Sequence, residues 1–146
     1  MGKVLKIGIC KTNGDQITSV KEVKAVCGKG LINDRYCKEN NNEKCQITLI
    51  EIENINHYNK SFGTKFSSIN FRRNIVTENI NLNNLVGKKF FIGDVKVEGH
   101  DLCRPCISLQ NKLNEKNIVK EFLHKGGLRC EILSDGKIFI GDKILL

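Results

Sequence analysis

The sequence predicts a mainly β domain with a few helices (α+β), arranged as a barrel or sandwich. Short β-rich runs recur along the chain, and the pairs Gly93-Asp94, Asp135-Gly136 and Gly141-Asp142 separate several of them as tight turns. Helical spacing of apolar residues is confined to a few stretches. At 146 residues the chain suits one compact unit spanning 1–146 and is too short for two ordinary domains.

Lys3 to Cys10 is β-rich, Asn13-Gly14-Asp15 supplies a turn, and alternation resumes from Ile17 to Val26, so the chain opens on a hairpin. Gly28 to Tyr36 breaks the pattern with two glycines and a charged pair, and 38–44 is an Asn-rich loop expected to be exposed and mobile. A strand over Gln46 to Ile50 leads into Glu51 to Phe62. There Ile52, Ile55, Tyr58 and Phe62 recur at spacings of three and four, the face of an amphipathic helix closed by Gly63. Asn70 to Val76 leads into a short strand. Leu82 to Leu85 and a Val86-Gly87 turn precede strands over Lys89 to Ile92 and Val95 to Gly99.

Pro105 fits the first turn of a helix, where its missing N–H costs nothing, and Leu109 and Leu113 share a face in the residues that follow. A second helix is expected over Glu115 to His124, capped by Gly126-Gly127. Strands over Leu128 to Leu133, Lys137 to Ile140 and Lys143 to Leu146 complete the chain. There is no internal repeat, linker or low-complexity tail.

No apolar run approaches the roughly 18 residues that a membrane span requires, and Met1 to Cys10 lacks the continuous apolar segment of a signal peptide. A cytoplasmic location is therefore expected. Seven cysteines without an export signal favour reduced thiols over a disulfide framework. The net charge of +8 favours an anionic partner such as nucleic acid, a phosphorylated small molecule or an anionic cofactor, although the lysines are spread along the whole chain. Nucleic acid ranks last, because the aromatic residues do not interleave with a basic strand to form stacking platforms.

The segment His100-Asp101-Leu102-Cys103-Arg104-Pro105-Cys106 carries the most chemistry. A cation and a helix N-terminus both lower a thiol's pKa from its usual value of about 8.5, and the thiolate is the nucleophile and the metal ligand. Cys103 and Cys106 fit half a zinc site, a dithiol pair, a single ligand cysteine with a neighbour, or two buried thiols acting as small hydrophobes. Cys37, Cys45 and His100 are the available further zinc ligands, but the spacing of Cys37 and Cys45 exceeds the usual two to four residues. Arg72-Arg73-Asn74 can fork around a phosphate or another oxyanion, or can be a solvated charge pair on a loop. In the Gly28 to Tyr36 loop, Asp34 can orient Arg35 and backbone N–H groups can approach an anion; the spacing matches neither a P-loop nor a dinucleotide fingerprint. No serine or carboxylate pair falls in a hydrolase arrangement.

In order and spacing, Gly30-Leu31-Ile32-Asn33-Asp34-Arg35-Tyr36, Gln46 to Glu51, Phe71-Arg72-Arg73-Asn74-Ile75, Leu85-Val86-Gly87 through Phe91-Ile92-Gly93, Cys103-Arg104-Pro105-Cys106, Gly126-Gly127 and Gly141-Asp142 resemble the MOSC domain family. The likeness spans nearly the whole chain and is most discriminating in the arginine-asparagine segment followed by C-x-P-C. It implies a MOSC-type β-barrel of the stand-alone bacterial type. Many relatives have a glycine before the aspartate and a histidine after the arginine, where this chain has Asn33 and Tyr36.

The resemblance implies binding of molybdenum cofactor (molybdopterin), or sulfur carriage for molybdenum-cofactor or metal-sulfur cluster metabolism; pyridoxal phosphate enters only as a family-level term. Relatives with one thiol in this segment keep the one matching Cys106. Cys106 is therefore the expected metal ligand or persulfide carrier, with Cys103 as its catalytic helper. The anionic pterin would be held by Asp34, Arg35, Arg72, Arg73, Asn74 and Arg104. Implied protein partners are a cysteine desulfurase or an electron donor. The alternative is a small molybdoenzyme that reduces N-hydroxylated compounds, so the enzymatic expectation stands between reductase and sulfur transferase.

Overall fold

The computed structural model describes residues 2–12, 16–104 and 107–146. The expected turn at Asn13-Gly14-Asp15, the helix start at Pro105 and the Cys106 site lie outside the described residues.

The described strands are β1 (Gly2–Ile9), β2 (Thr18–Val20), β3 (Glu22–Val26), β4 (Gly30–Leu31), β5 (Ile47–Glu51), β6 (Ile75–Glu78), β7 (Lys89–Ile92), β8 (Val95–Leu102), β9 (Leu128–Ile132), β10 (Gly136–Phe139) and β11 (Lys143–Leu145). The helices are α1 (Ile52–Phe62), α2 (Ile107–Lys112) and α3 (Ile118–Glu121), with 3₁₀ turns at Ser68–Phe71 and Leu82–Leu85. Strands β11, β7, β8, β9, β5, β6 and β1 are paired in that order, and β1 pairs back onto β11 through Gly2↔Ile144 and Lys3↔Lys143. This closes a seven-stranded barrel. β2 pairs outside it on β1 in the expected opening hairpin, while β3 departs to a small sheet in the order β10-β3-β4.

Every pairing in the barrel is antiparallel except β5 with β6. Parallel neighbours need a crossover, which α1 and the 3₁₀ turn at Ser68–Phe71 supply on the outside of the barrel. α1 buries Ile55 and Tyr58, as its spacing predicts, and ends at Gly63 in the left-handed region at φ 65°.

The barrel interior is filled by aliphatic side chains, among them Ile7, Leu49, Ile75, Val97, Leu128 and Ile132. A second apolar cluster lies outside, where Tyr58, Phe71, Leu109, Ile118 and Phe122 pack together beneath the helices. The Phe71 and Phe122 rings sit 4.8 Å apart, centroid to centroid. This outer cluster docks α2 and α3 against the barrel wall.

Two elements differ from the sequence expectation. The helix expected over Glu115 to His124 is reduced to one turn, Ile118–Glu121, in a stretch bracketed by left-handed backbone at Asn114 (φ 52°) and His124 (φ 63°). In the 38–44 loop Asn41 is buried, and its side-chain amide donates to the carbonyls of Lys29, Tyr36 and Cys45. An Asn-rich composition could not reveal that one asparagine is a structural post. No helix among the described residues is long and apolar enough to cross a membrane.

Candidate functional site

Alternation along β9 points Leu128, Cys130 and Ile132 into the barrel and leaves Arg129 and Glu131 on its outer wall. On that wall Arg129 borders a cleft of about 350 Å³. β5 contributes Thr48, the turn before β6 contributes Arg72, Arg73 and Asn74, and the end of β8 delivers Cys103. Arg35 and Tyr36, Lys44 and Cys45, and α2 with Leu109 and Lys112 form the remaining rim, while Phe71 of the outer cluster supplies an apolar wall. The described lining holds four arginines and two lysines and no carboxylate. Such a cleft attracts anions with some apolar body.

Arg72 caps the 3₁₀ turn in the left-handed region, at φ 63°, which reverses the chain and brings Arg73 into the cleft. Arg73 is held by a bond from its Nε to the carbonyl of Gly126, at 3.0 Å. Asn74 is buried, and its amide is committed to the scaffold. Its Oδ1 accepts from the N–H and the hydroxyl of Thr48, at 3.1 and 3.2 Å, and its Nδ2 donates to Gly8 O at 3.1 Å. Asn74 thus ties β1, β5 and the arginine turn together, and its hydrogen-bonding capacity towards a ligand is largely spent.

Cys103 is 3 % exposed and lines the cleft. Its N–H donates to Gly127 O at 2.7 Å. Burial pushes its thiol pKa up and Asp101 adds to that, whereas the charges of Arg73 and Arg129 pull it down. Burial prevails, so the thiol is held above its ordinary pKa despite these positive neighbours. Cys130, one strand position from Arg129, points into the barrel, and burial raises its pKa well above the ordinary value.

Asp34 is buried and acts on backbone: its Oδ1 accepts from the N–H of Cys10 at 3.0 Å and its Oδ2 from that of Tyr36 at 3.5 Å. It shapes the loop that delivers Arg35, whose guanidinium lies over the Tyr36 ring at 4.5 Å. Burial works against the Arg35 charge, but Tyr36, Asp34 and Cys10 outweigh it and raise the pKa. Gly28, at φ 74°, sits in the turn closed by Lys29 N–H donating to Val26 O, and its own N–H donates to Ile132 O, while Gly30 begins β4. Arg104 is exposed and stands outside the cleft lining.

Among the described residues, the one group that gathers three metal-capable side chains is Glu43, His100 and Glu131, with ligand atoms within 4.8 Å of one another. It includes neither Cys37 nor Cys45. His100 Nε2 lies 2.9 Å from Glu131 Oε1 and 4.0 Å from Glu43 Oε2, and the shorter contact is a hydrogen bond.

Of the residues singled out in the sequence, the fold brings Arg35, Arg72, Arg73, Asn74 and Cys103 to one cleft and places Asp34 behind it. Sequence reasoning missed Arg129, Lys44, Thr48 and Lys112. Arg129 reads in sequence as an ordinary outward-facing strand residue, and no local signal separates it from Glu131.

A family model described as "MOSC domain" matches residues 37–145. Among solved structures, the YuaD protein from Bacillus subtilis is similar at a TM-score of 0.83 and 18% identity, covering 99% of this chain and 94% of that one. YiiM from Geobacillus stearothermophilus is similar at 0.82 and 18% identity, covering 100% of this chain and 75% of that one. YiiM from Escherichia coli is similar at 0.76 and 16% identity, with coverage of 100% and 69%. No curated protein matches the sequence.

Proposed function

The chain belongs to the MOSC domain family, and from that premise we propose that its cleft receives an anionic pterin, the molybdenum cofactor, or presents a thiol for sulfur transfer in the assembly of such centres. The family is commonly linked to this cofactor. The observation that carries the reading is the combination, in one cleft, of the Cys103 thiol with the guanidinium groups of Arg73 and Arg129 and an otherwise cationic rim.

The donor set fits the group. A phosphate-bearing pterin needs forked cationic donors, which Arg72 and Arg73 supply with Arg35 and Lys44 nearby, and an apolar flank, which Phe71 and Leu109 supply. Thiolate is a soft ligand suited to transition metals and metal-sulfur centres. Cys106 is the residue assigned to ligate molybdenum or carry sulfur, with Cys103 as helper. When bound, the cofactor would supply two-electron oxygen-atom chemistry at molybdenum. Asp34 and Asn74 position the loops, and Arg104 serves a partner or the outer edge of the ligand.

In the sulfur-carrier form of the proposal, the Cys106 thiolate attacks the outer sulfur of a desulfurase persulfide. A new S–S bond forms on Cys106, the donor S–S bond breaks, and the donor cysteine leaves as a thiolate, so no external oxidant is consumed.

The test is expression in a host that makes molybdenum cofactor, followed by metal and pterin analysis of wild type, Cys106→Ala and Cys103→Ala. Copurified pterin and molybdenum lost in Cys106→Ala support ligation. A mass gain of one sulfur atom on Cys106 after incubation with a cysteine desulfurase supports the carrier form, and benzamidoxime turnover with an artificial donor would point to the reductase instead. Absence of all three overturns the proposal.

A further inference from the structure

Outside the cleft, Glu43, His100 and Glu131 bring three ligand atoms within 4.8 Å of one another on the outer wall of the barrel. Three separate elements converge there. Glu131 alternates outward from β9. The register of β8 on β9 shifts between Gly99 and Asp101, so His100 stands at a β-bulge, a device that re-aims a side chain. Glu43 is held from both sides, because the buried Asn41 amide donates to the carbonyls of Lys29 and Tyr36 and Lys44 N–H donates to Asn42 Oδ1 at 2.8 Å.

The local charge runs against that of the chain. The net charge is +8, yet among the described residues neither Glu43 nor Glu131 ion-pairs with a lysine or an arginine. Lys44, next to Glu43, turns instead to Asp101 at 3.8 Å. A further carboxylate, Glu98 of β8, is the register partner of Glu131. Like charges directly opposite each other destabilise a sheet, and one imidazole beside three carboxylates leaves this face negative whether or not the ring is protonated.

We infer that Glu43, His100 and Glu131 bind a divalent first-row transition-metal ion. Imidazole with carboxylate is a ligand set for such ions, whereas calcium and magnesium call for oxygen throughout. Bonds of about 2.0–2.2 Å to a tetrahedral ion set neighbouring ligand atoms about 3.3–3.6 Å apart, a spacing that falls between the 2.9 and 4.0 Å contacts of His100 Nε2. Binding exchanges the His100–Glu131 hydrogen bond for a bond from each atom to the ion, and three protein ligands leave coordination to be completed by water. The ion fastens the 38–44 loop to the β8–β9 wall, and the residues that follow Glu43, Lys44 and Cys45, line the cleft rim.

The experiment is a cobalt(II) titration of the full chain, stripped with a chelator and kept reduced by a phosphine, followed by equilibrium dialysis and absorption. Cobalt(II) is the probe because thiolate ligation gives an intense charge-transfer band that nitrogen and oxygen ligation lacks, which separates this site from the cysteines. Wild type is expected to bind cobalt in a component without that band. Loss of a group that merely orients a ligand costs about 10–100-fold in affinity, so removal of a ligand should cost at least as much. His100→Ala and Glu131→Gln are each expected to weaken this component by about a hundredfold or more, and Glu43→Gln by about tenfold or more.

Wild type that binds no cobalt, or binds it only with the thiolate band, overturns the inference. So does any of the three variants binding as tightly as wild type. Should a variant of the barrel wall fail to fold, Glu43→Gln, whose side chain is exposed on the loop, decides alone. None of the three residues lines the cleft and no pterin enters the titration, so its failure is separable from failure of the copurification test.

Discussion

Arg73 and Cys103 are tied to neighbouring carbonyls of a single turn: Arg73 Nε donates to Gly126 O at 3.0 Å and Cys103 N–H donates to Gly127 O at 2.7 Å. The cation and the thiol of the cleft come from segments thirty residues apart, yet one rigid corner sets their separation. The Gly126-Gly127 pair is thus part of the site without touching a ligand.

That corner tolerates no side chain. Gly127 has φ +110°, and a Cβ there would lie 1.9 Å from the carbonyl oxygen of Leu49, an immovable part of β5. Gly127→Ala is expected to cost roughly 3–5 kcal/mol through backbone strain and overpacking, measured by urea denaturation. The same variant should lose anion binding at temperatures where it remains folded, because Arg73 and Cys103 shift together. A loss below about 1 kcal/mol would show that the turn relaxes freely.

Asn74 gives a second expectation. Truncation in Asn74→Ala leaves the Thr48 N–H and the Gly8 carbonyl without their partner in a buried setting. An unmet buried polar group costs about 1–3 kcal/mol, so the variant should lose about 2–5 kcal/mol in equilibrium unfolding. Asn74→Asp keeps the acceptor for Thr48 but sets a carboxylate oxygen against the Gly8 carbonyl in a buried site, and should cost at least as much as Asn74→Ala. If Asn74→Ala unfolds at the wild-type denaturant concentration, the bridging role is wrong.

Glu51 sets a pH dependence remote from the cleft. It sits at the start of α1, where burial raises its carboxyl pKa above the ordinary 4.5, repulsion from Glu53 adds to this, and the Leu82 N–H partly offsets it. A carboxyl whose folded pKa is raised contributes stability that is fully present below the unfolded value and is lost as pH rises through the folded value. Glu51→Gln, which retains an acceptor for Leu82, should therefore be more stable than wild type at neutral pH. The advantage should shrink as pH falls towards 4.5. Urea midpoints that differ equally at neutral and acidic pH would refute this cause.

The local pattern of the sequence was enough to identify the elements whose side chains alternate or recur by geometry: the β1 and β2 hairpin, α1 with its Gly63 stop, and the closing strands around Gly-Asp turns. It also singled out the arginine pair and the cysteine segment, because those residue types carry charge and nucleophilicity wherever they sit. Barrel closure, by contrast, is a pairing of Gly2 and Lys3 with Ile144 and Lys143 across nearly the whole chain, and no local pattern encodes it. Tertiary structure alone disclosed the hydrogen bonds by which Asn74 and Asp34 hold the scaffold and shortened the second helix to one turn. It also turned Arg129, an unremarkable outward residue of β9, into a wall of the cleft that Cys103 lines. Sequence fixes what a side chain can do chemically, but which groups share a desolvated space depends on long-range pairing and burial.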